Sequence, residues 1–241
     1  MQDGAKRLRV SVVLPAFNEE PNIRQAVGEV TAAAEGLFAD HEVLVVDDGS
    51  TDATGLVVEA LAEADSRIRA LRHPQHVGYG EALRTGFLAC RMDHVFMTDA
   101  DLQFDAREIA LLMPYADQID VVAGYRLNRC DPLGRRALGY AWNILIRALF
   151  YVPVRDIDCA FKLFDRRVLE ALDLESVGAM INTEMMVKLA RRGASVVEVG
   201  VHHRPRRAGE ARGASPRVIA TALREILRMR RRLASLDGRG Q

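Results

Sequence analysis

The sequence has few cysteines and no apolar stretch long enough to span a membrane. Its three cysteines, Cys90, Cys130 and Cys159, are odd in number and far apart. Zinc sites and redox pairs need closely spaced cysteines, so this spacing predicts reduced thiols in the core or loops of a cytoplasmic protein. The longest nearly apolar stretch, 141–154, contains Arg147, whereas a membrane-spanning helix needs roughly 20 apolar residues. We therefore expect no segment that crosses a bilayer.

A net charge is also absent, because 33 basic residues balance 33 acidic ones. A neutral chain has no global field that would attract nucleic acid or another polyanion. The balance is uneven along the chain: residues 204–232 carry ten arginines and two glutamates, a net charge of +8, and the remainder carries −8. The first ten residues, MQDGAKRLRV, are too polar and too few for a signal peptide.

Short β-branched runs alternate with helical stretches through the first half of the chain. The predicted strands are 8–14, 42–47, 67–71, 94–98 and 120–123, and the predicted helices are 20–35, 51–64, 80–90 and 106–115. Farther along, the pattern predicts helices near 138–151 and 182–192 and a strand at 195–199. Ser50, Thr51 and Asp52 offer oxygens that can cap the second helix. The alternation predicts an α/β fold, Rossmann-like, with a mostly parallel sheet and helices on both faces.

Polar side chains follow three of the predicted strands at the point where each strand ends. They are Asn18, Glu19, Asp47, Asp48, Asp99 and Asp101. In a sheet of this kind, ligands bind beyond the carboxyl ends of the strands. The sequence therefore predicts a ligand site at this edge.

The segment MTDADLQF places two carboxylates directly after a buried strand. Asp99 and Asp101, two residues apart, can share a hard divalent cation that also binds phosphate oxygens, and Gln103 offers an amide oxygen to the same ion. The alternative is a turn that only caps the predicted helix 106–115. The second acidic strand end nearby favours a metal site.

The segment DDGS follows the second predicted strand. One of its carboxylates can accept the N–H donors of a uracil or a guanine. A turn with a helix cap formed by Asp48, Ser50 and Thr51 is the alternative, and we expect both roles on different residues. The following HVGYG loop can bring backbone close to a ligand, but it lacks the spacing of a dinucleotide fingerprint and is equally typical of a flexible turn.

Seven arginines fall in predicted loops or at helix starts. They are Arg126, Arg135, Arg136, Arg204, Arg206, Arg207 and Arg212. Arginine pairs bidentately with phosphate, and a diphosphate leaving group needs such neutralisation. A solvated charged face accounts for most of them in the alternative interpretation, and we expect three or four to be functional.

Five motifs in order carry a family resemblance. They are VSVVLPAFNEEPNI, EVLVVDDGSTDAT, HVGYGEALRTGF, MTDADLQFD, and the pair VAGYRLN with HHRPRRAGEARG. Over residues 10–213 the chain resembles the family 2 glycosyltransferases of the GT-A fold, especially the polyprenyl-phosphate sugar transferases of the dolichol-phosphate mannose synthase type. Gly139 departs from the pattern, because some members have a serine there that contacts the acceptor phosphate.

The resemblance implies a role for each matching residue. It implies that Pro15, Phe17 and Glu19 line the nucleoside pocket and that Asp48 holds the base. Asp99 would face the ribose and the metal, Asp101 and Gln103 would ligate Mg²⁺ or Mn²⁺, Arg126 and Arg135 would meet the acceptor and donor phosphates, and Arg206 matches the arginine before the terminal glycine motif.

The implied reaction is transfer of a sugar from a UDP- or GDP-sugar, with inversion, to a polyprenyl phosphate. Such a phosphate is already ionised at neutral pH and needs no strong base. Transfer to a hydroxyl group is the alternative, and it would need a carboxylate base, for which Glu184 is the candidate. A non-catalytic nucleotide-sugar-binding regulator is a third reading. An aspartyl phosphatase would need Thr or Val at Gln103, and a nucleotidyltransferase a glycine-rich loop where PAFNEEPN stands.

The last residues, 214–241, are predicted to form a basic amphipathic helix and tail outside a glycosyltransferase domain of residues 1–213. Its apolar stripe is formed by Ile219, Leu223, Ile226, Leu227 and Leu233. A basic amphipathic helix fits attachment to an anionic membrane surface, which would make the protein peripheral on the cytoplasmic face. The alternative is that the helix packs on the core or on a second subunit.

Overall fold

The strands assemble into one seven-stranded sheet. The computed structural model describes residues 8–206 and 216–237. Its strands are β1 (Arg9–Ala16), β2 (Asp40–Asp47), β3 (Ile68–Arg72), β4 (His94–Met97), β5 (Val121–Leu127), β6 (Lys162–Asp165) and β7 (Val196–His202). Their order in the sheet is β3-β2-β1-β4-β6-β5-β7. The predicted mostly parallel α/β fold is confirmed.

Strand β6 is absent from the sequence-based prediction. It pairs antiparallel with both β4 and β5, while the other neighbouring strands pair in parallel. It is four residues long and begins with a lysine, so it lacks the β-branched run that marked the other strands. Because β6 runs opposite to β4, with Lys162 opposite Met97, the chain before β6 lies at the carboxyl end of β4.

The described residues form seven α-helices, six between strands and one after the last strand. They are α1 (Glu20–Leu37), α2 (Thr54–Ala64), α3 (Tyr79–Ala89), α4 (Leu133–Phe150), α5 (Arg166–Glu170), α6 (Ile181–Arg191) and α7 (Pro216–Asp237). The second helix starts later than predicted, and its cap residue Ala53 has no side-chain cap. The predicted helix 106–115 is instead two 3-10 helices, Ala106–Leu111 and Met113–Tyr115.

The centre of the sheet and two of the three cysteines lie in the core. Strands β1 and β2 are buried along almost their whole length, as expected for parallel strands covered on both faces. All three cysteines are free, with Cys90 and Cys159 buried and Cys130 exposed. Within residues 8–206 and 216–237, no helix combines the length and apolarity needed to cross a membrane.

Helix α7 packs on the protein body. Ile226 and Met229 are buried in the main core cluster, whereas Leu227 is 57% exposed. The side chains of Ile219, Leu223 and Leu233 lie outside the described part of the structure. For the described side chains of α7, the packing alternative therefore holds on the buried face, and its exposed face carries arginines.

Candidate active site

A cavity of about 690 Å³ lies at the carboxyl ends of β1, β2 and β4 and is bordered by α3, α4 and α7. Ten of the residues predicted from sequence line it: Pro15, Phe17, Glu19, Asp48, Asp99, Asp101, Gln103, Arg126, Arg135 and Arg206. Parallel strands end at a common edge, which is why residues distant in sequence meet here. Glu184 does not line the cavity.

Two carboxylates stand at the end of β4. Asp99 accepts a hydrogen bond from the Tyr79 hydroxyl at 2.9 Å, and burial raises the pKa of Asp99 to about 7, with the neighbouring Asp101 charge adding to the rise. Asp101 is 4% exposed and its Oδ1 accepts from the Gln103 backbone N–H at 3.1 Å. The two charges oppose each other, so this position favours a cation.

Arg206 connects the Asp101 carboxylate to the first strand end. Its guanidinium donates to Asp101 Oδ2 at 2.7 Å and to Glu19 Oε1 at 3.3 Å. The side chain of Gln103 donates to the Arg204 carbonyl at 3.3 Å, which leaves the amide oxygen of Gln103 as the group able to face an ion. Arg206 thus supplies a positive charge beside these carboxylates.

Asp48 organises the loop before α3. It is 2% exposed, and its Oδ1 and Oδ2 accept from the backbone N–H groups of Val77 at 3.0 Å and Gly78 at 2.8 Å. Nδ1 of His73 lies 2.7 Å from Oδ1, and Nδ1 of His76 lies 2.8 Å from Oδ2. The predicted turn role therefore falls on Asp47, which accepts from the Ser50 backbone N–H at 2.9 Å, and not on Asp48.

An aromatic pair forms one wall of the cavity. The rings of Phe17 and His76 stack with centroids 3.9 Å apart and planes 19° from parallel. Both line the cavity, and a flat ring surface of this kind can stack on a nucleobase. His76 is fixed by its contact with Asp48, so the carboxylate and the ring pair form one unit.

Arginines border the opposite side. Arg126 is held by Asp156, with Nε and Nη2 donating at 2.7 and 2.6 Å. Arg129 and Arg135 both contact Asp131, at 2.9 and 3.7 Å. All three arginines line the cavity, where they can meet phosphate oxygens.

Gly139 accounts for the position of one of these arginines. A Cβ atom at Gly139 would lie 2.9 Å from the Arg129 Nη1 atom. The missing side chain at this departure from the family pattern therefore leaves room for the Arg129 guanidinium.

The other predicted arginines fall elsewhere. Arg204 pairs with Asp105, Arg136 is exposed and does not line the cavity, and Arg207 and Arg212 lie outside the described residues. Arg129, which the sequence pattern did not indicate, lines the cavity together with Arg126, Arg135 and Arg206.

Glu184 lies on the buried face of α6 and serves a neighbouring loop. It is 4% exposed, and it accepts from the backbone N–H groups of Glu175 at 3.0 and 3.1 Å and Ser176 at 2.7 Å and from the Lys188 ammonium at 2.6 Å. With these donors in place, the carboxylate supports the segment that forms the cavity wall at Val177. Glu184 itself does not line the cavity.

Several cavity residues were missed from sequence. They are Arg129, Trp142, Asp158, Asn182 and Glu225. They come from the loop before α4, from α4, from the segment before β6, and from α6 and α7. His76 and Tyr79, which also line the cavity, belong to the HVGYG loop that the sequence indicated. Burial raises the pKa of Glu225, with the Glu184 charge adding to it.

Paired carboxylates, arginines and a ring stack in one cavity at the end of a parallel sheet are typical of an α/β protein that binds a nucleotide. The sequence profile of Glycosyl transferase family 2 matches residues 11–173. The chain therefore belongs to glycosyltransferase family 2, and its fold is the GT-A fold, as the motifs predicted.

The chain is similar to sugar transferases of known name and to solved structures of the same fold. Undecaprenyl-phosphate 4-deoxy-4-formamido-L-arabinose transferases of Salmonella paratyphi A and Salmonella choleraesuis are each 32% identical over 221 residues, covering 91% of this chain and 67% of each relative. Glucosyl-3-phosphoglycerate synthase from Mycobacterium tuberculosis with bound phosphoglyceric acid has a TM-score of 0.71 and 26% identity, covering 90% of this chain and 79% of that one. The complex of the same enzyme with Mn²⁺, UDP-glucose and phosphoglyceric acid has a TM-score of 0.71 and 25% identity, covering 90% of this chain and 79% of that one.

Proposed function

We propose that this glycosyltransferase moves a sugar from a UDP- or GDP-sugar to a polyprenyl phosphate with the help of Mg²⁺ or Mn²⁺. The observation that carries the proposal is that one cavity contains the carboxylate pair, the ring stack and the arginines. The names of the 32% identical relatives support a polyprenyl-phosphate acceptor, and the Mn²⁺ and UDP-glucose complex of the similar fold supports the donor and the metal.

The carboxylate pair fits a cation that is shared with the donor. Within the described residues, no group of three or more His, Cys, Asp and Glu side chains forms a complete cage. Mg²⁺ and Mn²⁺ prefer oxygen ligands, and Mg²⁺ is commonly held by one or two carboxylates plus substrate phosphates. Asp99, Asp101 and Gln103 would hold such an ion together with the diphosphate. When bound, it neutralises the negative charge that grows on the leaving diphosphate.

The donor nucleoside is assigned to the β1 and β2 side of the cavity. The Phe17 and His76 rings offer the stacking surface, with Pro15 and Glu19 beside it. Both Asp48 oxygens already accept hydrogen bonds from the protein. We therefore assign Asp48 the role of holding this stacking surface, and a direct hydrogen bond to the base is not its only role.

The arginines are assigned to phosphates. Asp156 fixes one edge of Arg126, so this guanidinium is preorganised and loses little freedom when it binds an anion. Arg135 lies on α4, which borders the cavity, and Arg206, beside Asp101, would also meet the diphosphate. Attack of an acceptor phosphate oxygen on the anomeric carbon, with departure of the nucleoside diphosphate, inverts that carbon in one step.

A phosphate acceptor needs no base, and this agrees with the position of Glu184. We expect Glu184→Gln to lower the melting temperature by several degrees, because the loop N–H groups and Lys188 lose a charged acceptor worth about 1–3 kcal/mol. Turnover per folded molecule should change by less than about threefold. Thermal melts and initial rates measure the two effects, with the exposed Glu170→Gln on α5 as the matched control.

Transfer to a hydroxyl group gives a different result for the same variant. A lost general base costs roughly 10²–10⁴-fold in rate. A loss of that size in Glu184→Gln, with an unchanged melting temperature, would favour the hydroxyl acceptor and contradict the assignment of Glu184 to the loop.

We further propose that the protein works at a membrane surface through α4. The large apolar side chains exposed on or beside α4 are Leu133, Leu138, Tyr140, Ile144, Leu145 and Tyr151. The same helix lines the cavity at Arg135, Leu138, Gly139 and Trp142. Exposed arginines of α7, which also borders the cavity, would add attraction to anionic lipid at about 1 kcal/mol each.

Vesicle flotation tests this location. We expect the protein to float with anionic but not neutral vesicles and to be released by salt. The triple variant Leu133→Ser, Tyr140→Ser, Tyr151→Ser should lose most of this binding, because these three side chains are 79%, 66% and 88% exposed. Leu88→Ser, which removes an 81% exposed leucine from α3, is the control that should still float. An intact protein that never floats contradicts the membrane assignment.

Release of nucleoside diphosphate from a panel of UDP- and GDP-sugars, measured with and without polyprenyl phosphate and Mn²⁺, tests catalysis itself. Acceptor-dependent release supports the transferase. Tight binding of a nucleotide sugar with no release under any condition would favour the regulator instead.

A further inference from the structure

The segment before β6 presents an open carboxylate to the cavity. Asp158 lines the cavity and is half-buried. Among the residues that the structure describes, none donates a hydrogen bond to its carboxylate. The other carboxylates at this edge of the sheet, by contrast, each accept from a protein donor: Glu19, Asp48, Asp99 and Asp101.

The backbone on both sides of Asp158 is fixed by a buried lysine. Lys162 is 0% exposed, and its ammonium donates to the Ile157 carbonyl at 3.1 Å and to the Cys159 carbonyl. These are the residues immediately before and after Asp158. Burying an ammonium group is costly unless it is hydrogen-bonded, so this arrangement holds a specific loop conformation.

Two more contacts fix the same loop. Asp156 pairs with Arg126 at 2.6 and 2.7 Å, and the Ile157 backbone N–H donates to the Asn143 side chain of α4 at 2.9 Å. Every contact serves to hold the loop, while the Asp158 carboxylate itself is left for a ligand. A rigid support of this kind is what a precise binding group requires.

The electrostatics determine what Asp158 can bind. Burial raises the pKa of Asp158 to about 6, Arg126, Lys162 and Arg129 lower it, and Asp156 raises it further. The group is therefore mostly ionised at neutral pH and can only accept hydrogen bonds. Like charge excludes phosphate as its ligand. A neutral donor such as an alcohol hydroxyl group fits.

The sheet order indicates which hydroxyl group this is. Of the two stacked rings, Phe17 follows β1, and His76 follows β3 and contacts Asp48 at the end of β2. The carboxylate pair follows β4, and Asp158 precedes β6, the next strand across the sheet. A donor that places its base on the ring stack and its diphosphate at Asp99 and Asp101 therefore places its sugar near Asp158, with the ribose farther away.

We propose that Asp158 accepts a hydrogen bond from a hydroxyl group of the transferred sugar and so contributes to the choice of sugar. This rests on the proposed function, because it assumes a nucleotide-sugar donor.

Calorimetry without any acceptor tests the proposal. Each probe is a nucleotide compared with its nucleotide sugar in the presence of Mn²⁺: UDP with UDP-glucose, UDP with UDP-N-acetylglucosamine, and GDP with GDP-mannose. The variants are measured with the pair whose nucleotide sugar binds wild type most tightly. Asp158→Asn keeps the side-chain shape and removes the charge. We expect this variant to weaken the binding of the nucleotide sugar roughly ten- to a hundred-fold and the binding of the nucleotide by less than about twofold. Asp93→Asn, at the opposite end of β4, is the matched control, and thermal melts verify folding.

Each result decides the matter. Equal losses for nucleotide and nucleotide sugar, or no loss for either, overturn the assignment to the sugar. Because no acceptor is present, a failure to glycosylate polyprenyl phosphate leaves this test unaffected. A wild type that binds no nucleotide sugar contradicts the proposed function as well.

Discussion

Asp101→Asn is expected to lower the rate of sugar transfer about a hundred-fold or more without unfolding the protein. The variant keeps the shape of a buried side chain that contacts Gln103 and Arg206 but removes one ligand charge. Electrostatic stabilisation of a leaving group is typically worth ~3–4 kcal/mol, which corresponds to this loss of rate. Binding of Mn²⁺ and of the nucleoside diphosphate should weaken together, and calorimetry and initial rates measure both.

Asp105→Asn is the matched control for this variant. Asp105 caps the first 3-10 helix by accepting from the Arg107 backbone N–H at 3.1 Å, a role that asparagine also fills, and it does not line the cavity. Its rate should stay close to that of wild type. Unchanged turnover in Asp101→Asn, or full activity of wild type in excess chelator, contradicts the metal assignment.

Asp48→Ala is expected to weaken the binding of UDP or GDP at least about tenfold. The variant leaves the N–H groups of Val77 and Gly78 without their acceptor and frees His76 from its anchor. Because the base does not react, its lost contact is largely uniform binding, so the donor KM should rise much more than kcat falls. The buried donors also lose their partner, which should lower the melting temperature by several degrees.

His76→Ala separates the two contributions of Asp48. It removes the ring that stacks on Phe17 and keeps the backbone contacts of the carboxylate. A nucleotide affinity between those of wild type and Asp48→Ala is the expected result. An Asp48→Ala protein that binds both nucleotides as tightly as wild type refutes the assignment of this side of the cavity to the nucleoside.

The first strands of the sheet could be predicted because each is marked by a short run of residues that are adjacent in the sequence. Parallel strands buried on both faces read as apolar β-branched runs, and their polar residues had to fall at one edge. Strand β6 carries no such signal, since it starts with Lys162, a charged residue that the fold buries in order to hold two carbonyl groups. The 3-10 helices after β4 likewise depend on packing that a sequence pattern does not contain.

The site residues that follow the strands of the first half could be predicted, whereas those that come from helices or from the segment before β6 could not. Asp99, Asp101 and Asp48 are at strand ends, so their place in the cavity followed from topology. Glu184 was the candidate base for a hydroxyl acceptor, but on α6 it contacts the loop at Glu175 and Ser176. Asp158, Asn182 and Glu225 enter the cavity only because β6, α6 and α7 fold over it.

The proposed activity of the protein is transfer of a sugar from a nucleotide to a lipid phosphate. The most direct measurement is mass spectrometry of the lipid fraction after incubation of the protein with UDP- and GDP-sugars, undecaprenyl phosphate and Mn²⁺. The proposed function predicts a new lipid whose mass exceeds that of the acceptor by one sugar residue, absent without Mn²⁺ and absent with Asp101→Asn. A lipid fraction that stays unmodified with every donor, while the protein binds nucleotide sugar and transfers it to a soluble hydroxyl acceptor, would contradict it.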